Sequence, residues 1–341
     1  MHCWRNIPGM IHPAGKNEQE MNIIITSAGQ RVSLVRAFQK ELGYCQIDGR
    51  VFTTDLKPDL CSACVVSDNA FKVGRFRDPD YIDILLALCI ENKVKMVIPT
   101  IDTELLLLAE NKSLFKDNDI DIIISSVDFV KICRDKRKTH LFFKERGIDT
   151  PELIDKNNPH FPLFIKPYDG SCSTDIYVIR KKEELSGIHL NNEKFMFMEY
   201  IDREIYDEYT VDLYYGKDHH IKSVIPRKRI AVRAGEILKG VTCKNEIMDF
   251  VKDKLSYVEG AVGCITLQLF YSEQTGKMIG IEINPRFGGG FPLSYEAKGN
   301  YPGWLIREYF FHEEISYSDA WEDNLLMLRY DSEIIVHGYK N

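Results

Sequence analysis

Ile281-Glu282-Ile283-Asn284-Pro285-Arg286 is the stretch of this sequence that most narrows the choice of fold and site. Glu282 and Asn284 are two residues apart, so their side chains leave the same face of an extended strand. Arg286, a further two residues on, points the same way and carries a permanent positive charge suited to a phosphate oxygen. The stretch therefore predicts a polar strand face with a carboxylate, an amide and a guanidinium.

A second strand-like run precedes this stretch. Gly263–Phe270 contains Gln268, and a turn over 272–277 joins the two runs, so they are predicted to form a hairpin. Hairpin pairing brings Gln268 beside Glu282 and Asn284. One carboxylate and two amide carbonyls form an oxygen-only ligand set, which hard cations such as magnesium prefer, usually together with nucleotide phosphates. The hairpin therefore predicts a magnesium–nucleotide site.

Length, charge and composition exclude several classes of protein. The chain has 341 residues and a formal net charge of −7, which argues against a general nucleic-acid binder. No apolar run approaches the ~20 residues needed to cross a bilayer, so no membrane partner is expected. The cysteines show no zinc spacing and are interpreted as reduced core residues, which predicts a cytoplasmic protein. Residues 1–20 lack the apolar core of a signal peptide and are predicted to be a disordered lead or a tag.

Strands that alternate with helices predict a parallel, Rossmann-like sheet over residues 21–130, with one of its strands over 46–54. In such sheets, ligands lie beyond the carboxyl ends of the strands. Gly29, Asp102 and Glu104 follow predicted strand ends, so they are candidates for binding a substrate. Asp102 has a simpler alternative, in which it caps the next helix and Glu104 lies in the first turn.

A different pattern begins after about residue 130, with a charged helix over 134–147 followed by short strand-like runs. These runs are predicted over 161–167, 175–179, 194–201, 208–215, 219–225 and 229–233, with helices over 245–257 and 300–311 and a terminal strand pair over 324–338. This half of the chain is therefore predicted to be α+β with antiparallel strands, so the fold class is α/β followed by α+β.

Two lysines are candidates for phosphate binding. Lys166 directly follows an apolar run, where a lysine is costly to bury without a partner such as a phosphate. Ser171 and Ser173 lie in the small-residue loop that follows, whose amides and hydroxyls are suited to covering phosphates. The alternative is that Lys166 reaches water at a strand end. Lys136 opens the charged helix and, taken alone, is a surface lysine.

An apolar run ends at Glu199, Tyr200 and Ile201, and Glu208 follows it. An adenine ring needs an apolar slot and an edge of backbone hydrogen-bonding groups, which a strand leading into a hinge offers. Glu208 is suited to accept hydrogen bonds from ribose hydroxyls. The alternative is a core strand with solvated carboxylates.

Arg227, Arg229 and Arg233 alternate along a strand-like run, so they are predicted to share a face. Three guanidiniums on one face repel each other unless an anion balances them, and Glu236 is able to balance one. A substrate carboxylate or an acyl phosphate is a candidate for the rest. The alternative is a solvated basic strand face.

Read in order, these segments resemble the ATP-grasp superfamily, most of all the large chain of carbamoyl-phosphate synthase and its single-copy relatives. The resemblance covers residues 21 to about 311. It is carried by 135–139 with 147–151, by 164–167, 198–201 and 208–212, by Gln268 and by Glu282–Arg286.

The resemblance implies an ATP-grasp fold with a Rossmann-like N-terminal domain, a small lobe over 131–200 and a large C-terminal lobe over 201–341. It also implies a role for each candidate residue. Phosphates would be held by Lys136, Lys166, Ser171 and Ser173, adenine by Glu199, Tyr200 and Ile201, and ribose by Glu208. Magnesium, or manganese in its place, would be held by Gln268, Glu282 and Asn284, and Arg286, Lys166 and Glu282 would carry the catalysis.

Members of this family activate a carboxylate as an acyl phosphate, which an amine or another nucleophile then attacks. The resemblance therefore implies an ATP-dependent carboxylate–amine ligase with small-molecule substrates, and relatives of this kind often form homodimers. Two departures from the family stand out. The loop over 169–174 has one glycine where the family has several, and the chain has one grasp unit and no allosteric domain. Synthesis of carbamoyl phosphate, which needs two phosphorylations and an ammonia source, is therefore not expected.

Two other functions fit parts of the sequence. A catalytically silent ATP- or ADP-binding regulatory or scaffold subunit would share every nucleotide-site residue, but it would not need the arginines from 227 to 233 or the acids Asp102 and Glu104. An oxidoreductase that binds a dinucleotide would need a glycine-rich turn after the first strand, and the segment 27–31 has only one glycine.

Overall fold

A computed structural model of the chain describes residues 20–170, 174–233 and 235–339. The predicted lead over 1–20 lies outside the described residues except for Glu20. Ser171 and Ser173 of the predicted phosphate loop also lie outside them.

A five-stranded parallel sheet forms the N-terminal part of the fold, in the order β3-β2-β1-β4-β5. β1 is buried along its whole length, which explains its unbroken run of isoleucines, since helices cover both faces of such a sheet. The strands are β1 (Asn22–Thr26), β2 (Val51–Asp55), β3 (Asn69–Lys72), β4 (Val94–Pro99) and β5 (Asp121–Ile122). The helices are α1 (Val32–Tyr44), α2 (Ser62–Val66), α3 (Tyr81–Glu91), α4 (Leu105–Glu110), α5 (Lys112–Lys116) and α6 (Val127–Arg134).

The strand order reverses between β1 and β4. β1 is followed by β2 and β3 on one side, whereas β4 and β5 continue on the other side. The loops that leave β1 and β4 therefore separate and open a crevice, and ligands of open α/β sheets bind in this crevice.

A three-stranded antiparallel sheet, in the order β7-β6-β8, forms a second layer. It follows α7, whose N-terminus is capped by the Asp135 side chain. Its small core contains Leu163, Ile165 and Phe197. The elements are α7 (Lys136–Glu145), β6 (Leu163–Pro167), β7 (Tyr177–Ile179), α8 (Gly187–Leu190) and β8 (Phe195–Glu199).

A six-stranded sheet, in the order β13-β12-β9-β10-β11-β14, forms the C-terminal part, and its strand pairs are antiparallel. The strands are β9 (Asp207–Tyr215), β10 (Ile221–Arg233), β11 (Glu236–Thr242), β12 (Gly263–Tyr271), β13 (Met278–Asn284) and β14 (Leu326–Leu328). The helices are α9 (Ile247–Leu255), α10 (Phe291–Glu296) and α11 (Tyr301–Phe310).

The N-terminal and C-terminal sheets share one hydrophobic core. Phe38 of α1 packs edge-on against Phe287, with ring centroids 6.0 Å apart. Glu41 of the same helix accepts hydrogen bonds from the Tyr295 hydroxyl at 2.6 Å and from the Asn300 amide at 2.7 Å. These contacts hold the carboxyl ends of β1 and β4 against the end of β13.

The predicted fold class is confirmed, while three local predictions are wrong. The second strand begins at Val51 and not at residue 46. The two strand runs predicted over 219–233 form the single strand β10, which pairs with β11, a strand that was not predicted. Only one strand of the predicted terminal pair forms, and this strand, β14, pairs with the free edge of β11. Most of the described residues after Leu328 are exposed. None of the helices that the structure describes is both long enough and apolar enough to cross a membrane.

Candidate active site

A cavity of about 600 Å³ lies between the three-stranded and the six-stranded sheets. Its walls come from β6 and β8 on one side and from β9, β10, β12 and β13 on the other. Asp102, from the loop after β4, closes one end of it. The cavity thus touches all three sheets.

The β12–β13 hairpin places the predicted metal ligands at one point of the cavity wall. Gln268 pairs directly with Glu282, and Thr266 pairs with Asn284. The Asn284 amide nitrogen donates to Glu282 Oε1 at 3.1 Å, which turns the amide oxygen of Asn284 away from that carboxylate. The described residues contain no group of three or more His, Cys, Asp or Glu that could hold a metal, so any ligand set here would combine Glu282 with amide, water or phosphate oxygens.

Lys136 and Lys166 both face Glu282. Lys136 Nζ lies 3.7 Å from Glu282 Oε2 and donates to the Gly170 carbonyl at 2.6 Å. Burial lowers the pKa of Lys166 to about 8, with Lys136 adding to the shift and the Glu282 and Glu208 charges opposing it. Burial alone would raise the pKa of Glu282, but Lys136, Lys166, the Asn284 hydrogen bond and Arg286 together outweigh it and hold that pKa below its ordinary value. The result is a half-buried carboxylate that stays ionised in contact with Lys136 and within electrostatic range of Lys166.

The predicted adenine hinge lies at the end of β8, where Glu199, Tyr200 and Ile201 line the cavity. Glu208 also lines it, but the carboxylate of Glu208 is already paired with Arg203 at 2.7 Å and with Arg229 at 3.2 Å. The roles of these residues therefore remain predictions.

Arg227 is fully buried on β10 and lines the cavity. Asp212 holds it through two hydrogen bonds, from Nε at 2.8 Å and from Nη2 at 3.1 Å. The Asp212 carboxylate also accepts from the Ser294 hydroxyl at 2.6 Å. The third guanidinium nitrogen of Arg227, Nη1, is buried and has no hydrogen-bond partner in the part of the chain that the structure describes.

The predicted common face of three arginines is broken. Arg229 lines the cavity beside Arg227, but Arg233 does not and pairs instead with Asp331 at 2.7 Å in an exposed position. Irregularities in the β10–β11 register after Arg229 and after Ala231 interrupt the alternation of side chains. Arg233 is therefore withdrawn as a substrate-binding residue.

Two of the three candidates from the N-terminal sheet also lie outside the cavity lining. Gly29 adopts a positive φ of 52° in the turn after β1 and donates its N–H to Asp55 at 3.3 Å. The Glu104 side chain is completely buried and accepts from the hydroxyls of Thr26, Ser27 and Tyr81. Both residues hold the crevice loops in place and do not face the cavity.

Asp102 does reach the cavity, and it does so as an ion-pair partner. Its carboxylate accepts from Arg286 Nε at 3.0 Å and from Arg286 Nη2 at 2.6 Å. The simpler interpretation of Asp102 as a helix cap is wrong, because α4 begins only after Glu104 and its first turn has no side-chain cap.

A group of residues around the Gly288–Gly290 segment also lies at the cavity and was not predicted from the sequence. Arg329, after β14, donates to the Gly289 carbonyl at 2.5 Å, and its Nη1 lies 3.5 Å from Glu236. A Cβ on Gly290 would lie 2.3 Å from Arg227 Nη1, so the glycine allows that close approach. The three consecutive glycines Gly288–Gly290, which follow Phe287, were the one signal in the sequence for a backbone that packs tightly at this end of the cavity.

Two family models match separate parts of the chain. Residues 23–123 match the model described as the PylC-like N-terminal domain. Residues 191–329 match the model described as ATP-grasp in the biosynthetic pathway with Ter operon.

A curated relative is the carbamoyl-phosphate synthase of Methanobrevibacter smithii, which is 25% identical over 231 residues. The alignment covers 62% of this chain and 62% of that protein, so the chain spans less than two thirds of the relative's length.

Solved structures share the fold at low sequence identity. The biotin carboxylase domain of Hydrogenobacter thermophilus 2-oxoglutarate carboxylase, solved with MgADP, ADP and bicarbonate, has a TM-score of 0.67 and 15% identity, and the match covers 89% of this chain and 73% of that one. The L-amino acid ligase of Bacillus licheniformis has a TM-score of 0.63 and 16% identity, over 86% of this chain and 74% of that one.

Proposed function

Because the chain is an ATP-grasp protein related to carbamoyl-phosphate synthase, we propose that it is an ATP-dependent ligase. In the proposed reaction a carboxylate takes the γ-phosphoryl group of ATP, and an amine or a similar nucleophile then displaces phosphate from the acyl phosphate. The observation that carries the proposal is the position of Glu282 between Lys136 and Lys166 in a cavity that Arg286 also lines.

The residues present fit a magnesium ion. Glu282 stays ionised, the Asn284 amide oxygen is turned away from it, and Gln268 lies opposite on β12. All three donors are oxygens, the ligand type that magnesium takes. Magnesium bound there would neutralise the charge that develops on the phosphate oxygens during transfer.

The chain's own residues supply positioning and positive charge. Lys136 and Lys166 lie where the phosphates of a nucleotide bound along the β8 hinge would reach Glu282. Phosphoryl transfer needs little covalent help from a protein, so such positioning and charge neutralisation supply most of the rate. That the Hydrogenobacter domain was solved as a complex with MgADP supports the proposal that this chain, which has a similar fold, binds a magnesium nucleotide.

Arg286 is held ready for the transferring group. Asp102 engages its Nε and Nη2, and the Phe287 carbonyl accepts from its Nη1 at 3.1 Å. Since a guanidinium has five N–H groups, two of them remain for a phosphoryl oxygen.

Hydroxylamine provides a test that does not depend on the natural nucleophile, because it converts acyl phosphates into hydroxamates. The full chain is incubated with ATP, magnesium, hydroxylamine and a panel of small carboxylic acids. We expect at least one acid to give a hydroxamate together with phosphate release. We expect Glu282→Gln to abolish both products, whereas Glu273→Gln, in the exposed turn of the same hairpin, leaves them unchanged.

The results separate the two functions that the site allows. Full activity of Glu282→Gln would contradict the assignment of the metal ligands. Tight binding of MgADP without hydroxamate formation from any acid would favour the silent nucleotide-binding subunit.

We also propose that the chain works on small molecules in the cytoplasm, with working units over 21–130, 131–200 and 201–341. The seven cysteines that the structure describes are free, which is consistent with a reducing compartment. A homodimer is the corresponding proposal for the assembly, since the Hydrogenobacter domain was solved as a dimer. Sedimentation of the purified chain tests it.

A further inference from the structure

The contacts along the cavity separate a nucleotide end from an acceptor end. Lys136 contacts Glu282, and Glu282 contacts Asn284. Arg286 lies two residues after the end of β13 and contacts Asp102. The Gly288–Gly290 segment comes next, and we call the region around it, with Arg227, Glu236 and Arg329, the acceptor end.

Each acidic side chain at the acceptor end already has a cationic partner. Asp212 binds Arg227, Asp102 binds Arg286, and Glu236 lies within 3.5 Å of Arg329. These pairs leave no carboxylate free to bind a substrate ammonium group at this end.

One donor at the acceptor end has no acceptor among the residues that the structure describes. It is Nη1 of Arg227, which is buried beside Gly290. A buried donor without a partner is unfavourable, and an anion that accepts from it removes this penalty. Because Asp212 already fixes the other two nitrogens, Nη1 is held in place before any ligand binds.

A second donor, Arg31, lies in the turn after β1, outside the cavity lining. Its half-buried guanidinium makes neither a hydrogen bond nor an ion pair with the residues that the structure describes. Burial and the charge of Arg286 lower the pKa of Arg31, while Glu236 and Asp102 oppose that shift, so Arg31 lies within electrostatic range of three residues that line the cavity.

Arg31 and Arg227 belong to the same region. The turn that carries Arg31 is tied to the loop that carries Asp102, because the Thr100 hydroxyl donates to the Ser27 carbonyl at 2.9 Å. Asp102 binds Arg286, and the Thr266 hydroxyl donates to the Arg286 carbonyl at 3.1 Å and to Asp212, the partner of Arg227, at 3.4 Å. In keeping with this placement, Arg227, Arg286 and Arg31 all oppose the rise in the pKa of the Cys264 thiol that burial and Asp212 cause. Arg31 follows β1 and Asp102 follows β4, so the two residues lie on either side of the crevice where the strand order reverses. Open α/β sheets bind ligands at this position.

We propose that the acceptor substrate carries a second anionic group, in addition to the carboxylate that is phosphorylated, and that Arg31 and Arg227 Nη1 bind this second group at the crevice between β1 and β4. The inference rests on the proposed function, because it assigns the reacting carboxylate to the Arg286 side of the cavity. A second carboxylate and a phosphate share the required chemistry, since guanidinium groups bind both.

Matched pairs of acids test the proposal. Butyrate is compared with succinate and glutarate, alanine with aspartate and glutamate, and glycerate with 3-phosphoglycerate. We measure hydroxamate formation with MgATP and, separately, binding to the MgADP-loaded chain by calorimetry. In at least one pair, we expect the acid with a second anionic group to bind at least tenfold more tightly than its partner that lacks this group. The phosphate-bearing acid distinguishes a phosphate from a second carboxylate.

Arg31→Gln is the decisive variant, because the Arg31 guanidinium makes no hydrogen bond or ion pair with the described residues whose loss would disturb the fold. We expect it to remove the preference for the dianion and to leave the affinity for MgADP unchanged. Arg36→Gln, on the exposed side of α1, is the matched control and should keep the preference. Gly290→Ala should reduce the preference independently, because its methyl group would displace Arg227 Nη1.

The outcomes distinguish this inference from the proposed function. Equal binding of both members of every pair, or a preference for the dianion that survives in Arg31→Gln, would overturn the inference. Selective binding of a dianion without hydroxamate formation would support the anion subsite and overturn the ligase assignment.

Discussion

Arg286 and Asp102 form a two-point ion pair that joins the six-stranded sheet to the N-terminal parallel sheet. The contacts measure 3.0 Å from Nε and 2.6 Å from Nη2, and both side chains are largely buried. Burial acts to lower the pKa of Arg286, but Asp102 outweighs it and holds the pKa above its usual range. The position of the proposed phosphoryl-binding guanidinium therefore depends on a loop in another sheet.

Asp102→Asn should weaken catalysis without weakening nucleotide binding. The amide keeps the shape of the carboxylate but loses its charge and one acceptor, so Arg286 is no longer fixed at two points. A hydrogen bond to a charged group contributes about 1.5–3 kcal/mol, which corresponds to about a 10- to 150-fold loss of kcat/KM for the acceptor. Steady-state kinetics give this ratio, and calorimetry with MgADP should give an unchanged Kd.

Asp331→Asn provides the matched control, because it removes an equally short arginine–aspartate pair from an exposed position. We expect no measurable change, since exposed ion pairs contribute little. An equal loss of activity in both variants would contradict a specific role for Asp102.

The hairpin of the proposed metal ligands could be predicted from the sequence because its geometry is local. Gln268, Glu282 and Asn284 lie on two strands joined by a short turn, so strand periodicity is sufficient to place them together. The same reasoning failed for Arg233, where the register irregularities in β10 depend on the pairing with β11 and leave no clear mark in the sequence.

The acceptor end could not be predicted in the same way, because its residues are distant along the chain. Arg31 and Asp102 lie near Arg286 only because the two sheets share a core in which α1 takes part. Arg329 follows β14, which pairs with β11. Glu104 was misplaced for a related reason. A glutamate after a strand end looks suited to a ligand until tertiary packing surrounds it with Thr26 and Tyr81.

Lys166 should couple nucleotide binding to pH. Its pKa is about 8 without a ligand, and phosphate oxygens favour the charged ammonium group and raise that pKa. Below pH 8 the lysine is already protonated, so MgADP binds with little proton uptake. Above pH 8 the complex must take up a proton, and the affinity should fall by up to about tenfold per pH unit. Calorimetry at pH 7 and pH 9, in two buffers of different ionisation enthalpy, measures this uptake.

Lys166→Arg should abolish the proton uptake, because an arginine stays charged at both values of pH. Lys182→Arg, in an exposed turn, should leave it unchanged. Uptake of the same size in the Lys166→Arg variant would show that another group is responsible.

Glu104 connects the two loops that carry Arg31 and Asp102. Its carboxylate accepts from the hydroxyls of Thr26 at 2.7 Å and Tyr81 at 3.1 Å, and from the Thr100 N–H at 3.3 Å. Burial raises the pKa of Glu104 although each of these bonds opposes the shift. The carboxylate is therefore a structural centre of the crevice.

Glu104→Ala should lower the free energy of unfolding by about 3 kcal/mol, because several buried donors lose their acceptor together. Glu110→Ala, at the exposed end of α4, should change it by less than about 0.5 kcal/mol. Urea unfolding measures both, and similar values would contradict the role of Glu104.

The contribution of Glu104 to stability should depend on pH. Because the pKa of Glu104 is raised in the folded protein, the stability that Glu104 adds relative to Glu104→Gln is complete below its unfolded pKa. This stability declines as the pH rises through the folded pKa.

Glu104→Ala should also affect the acceptor under conditions where the variant remains folded. The KM of the acceptor should rise while the Kd of MgADP stays constant, because the crevice loops loosen and the nucleotide end does not.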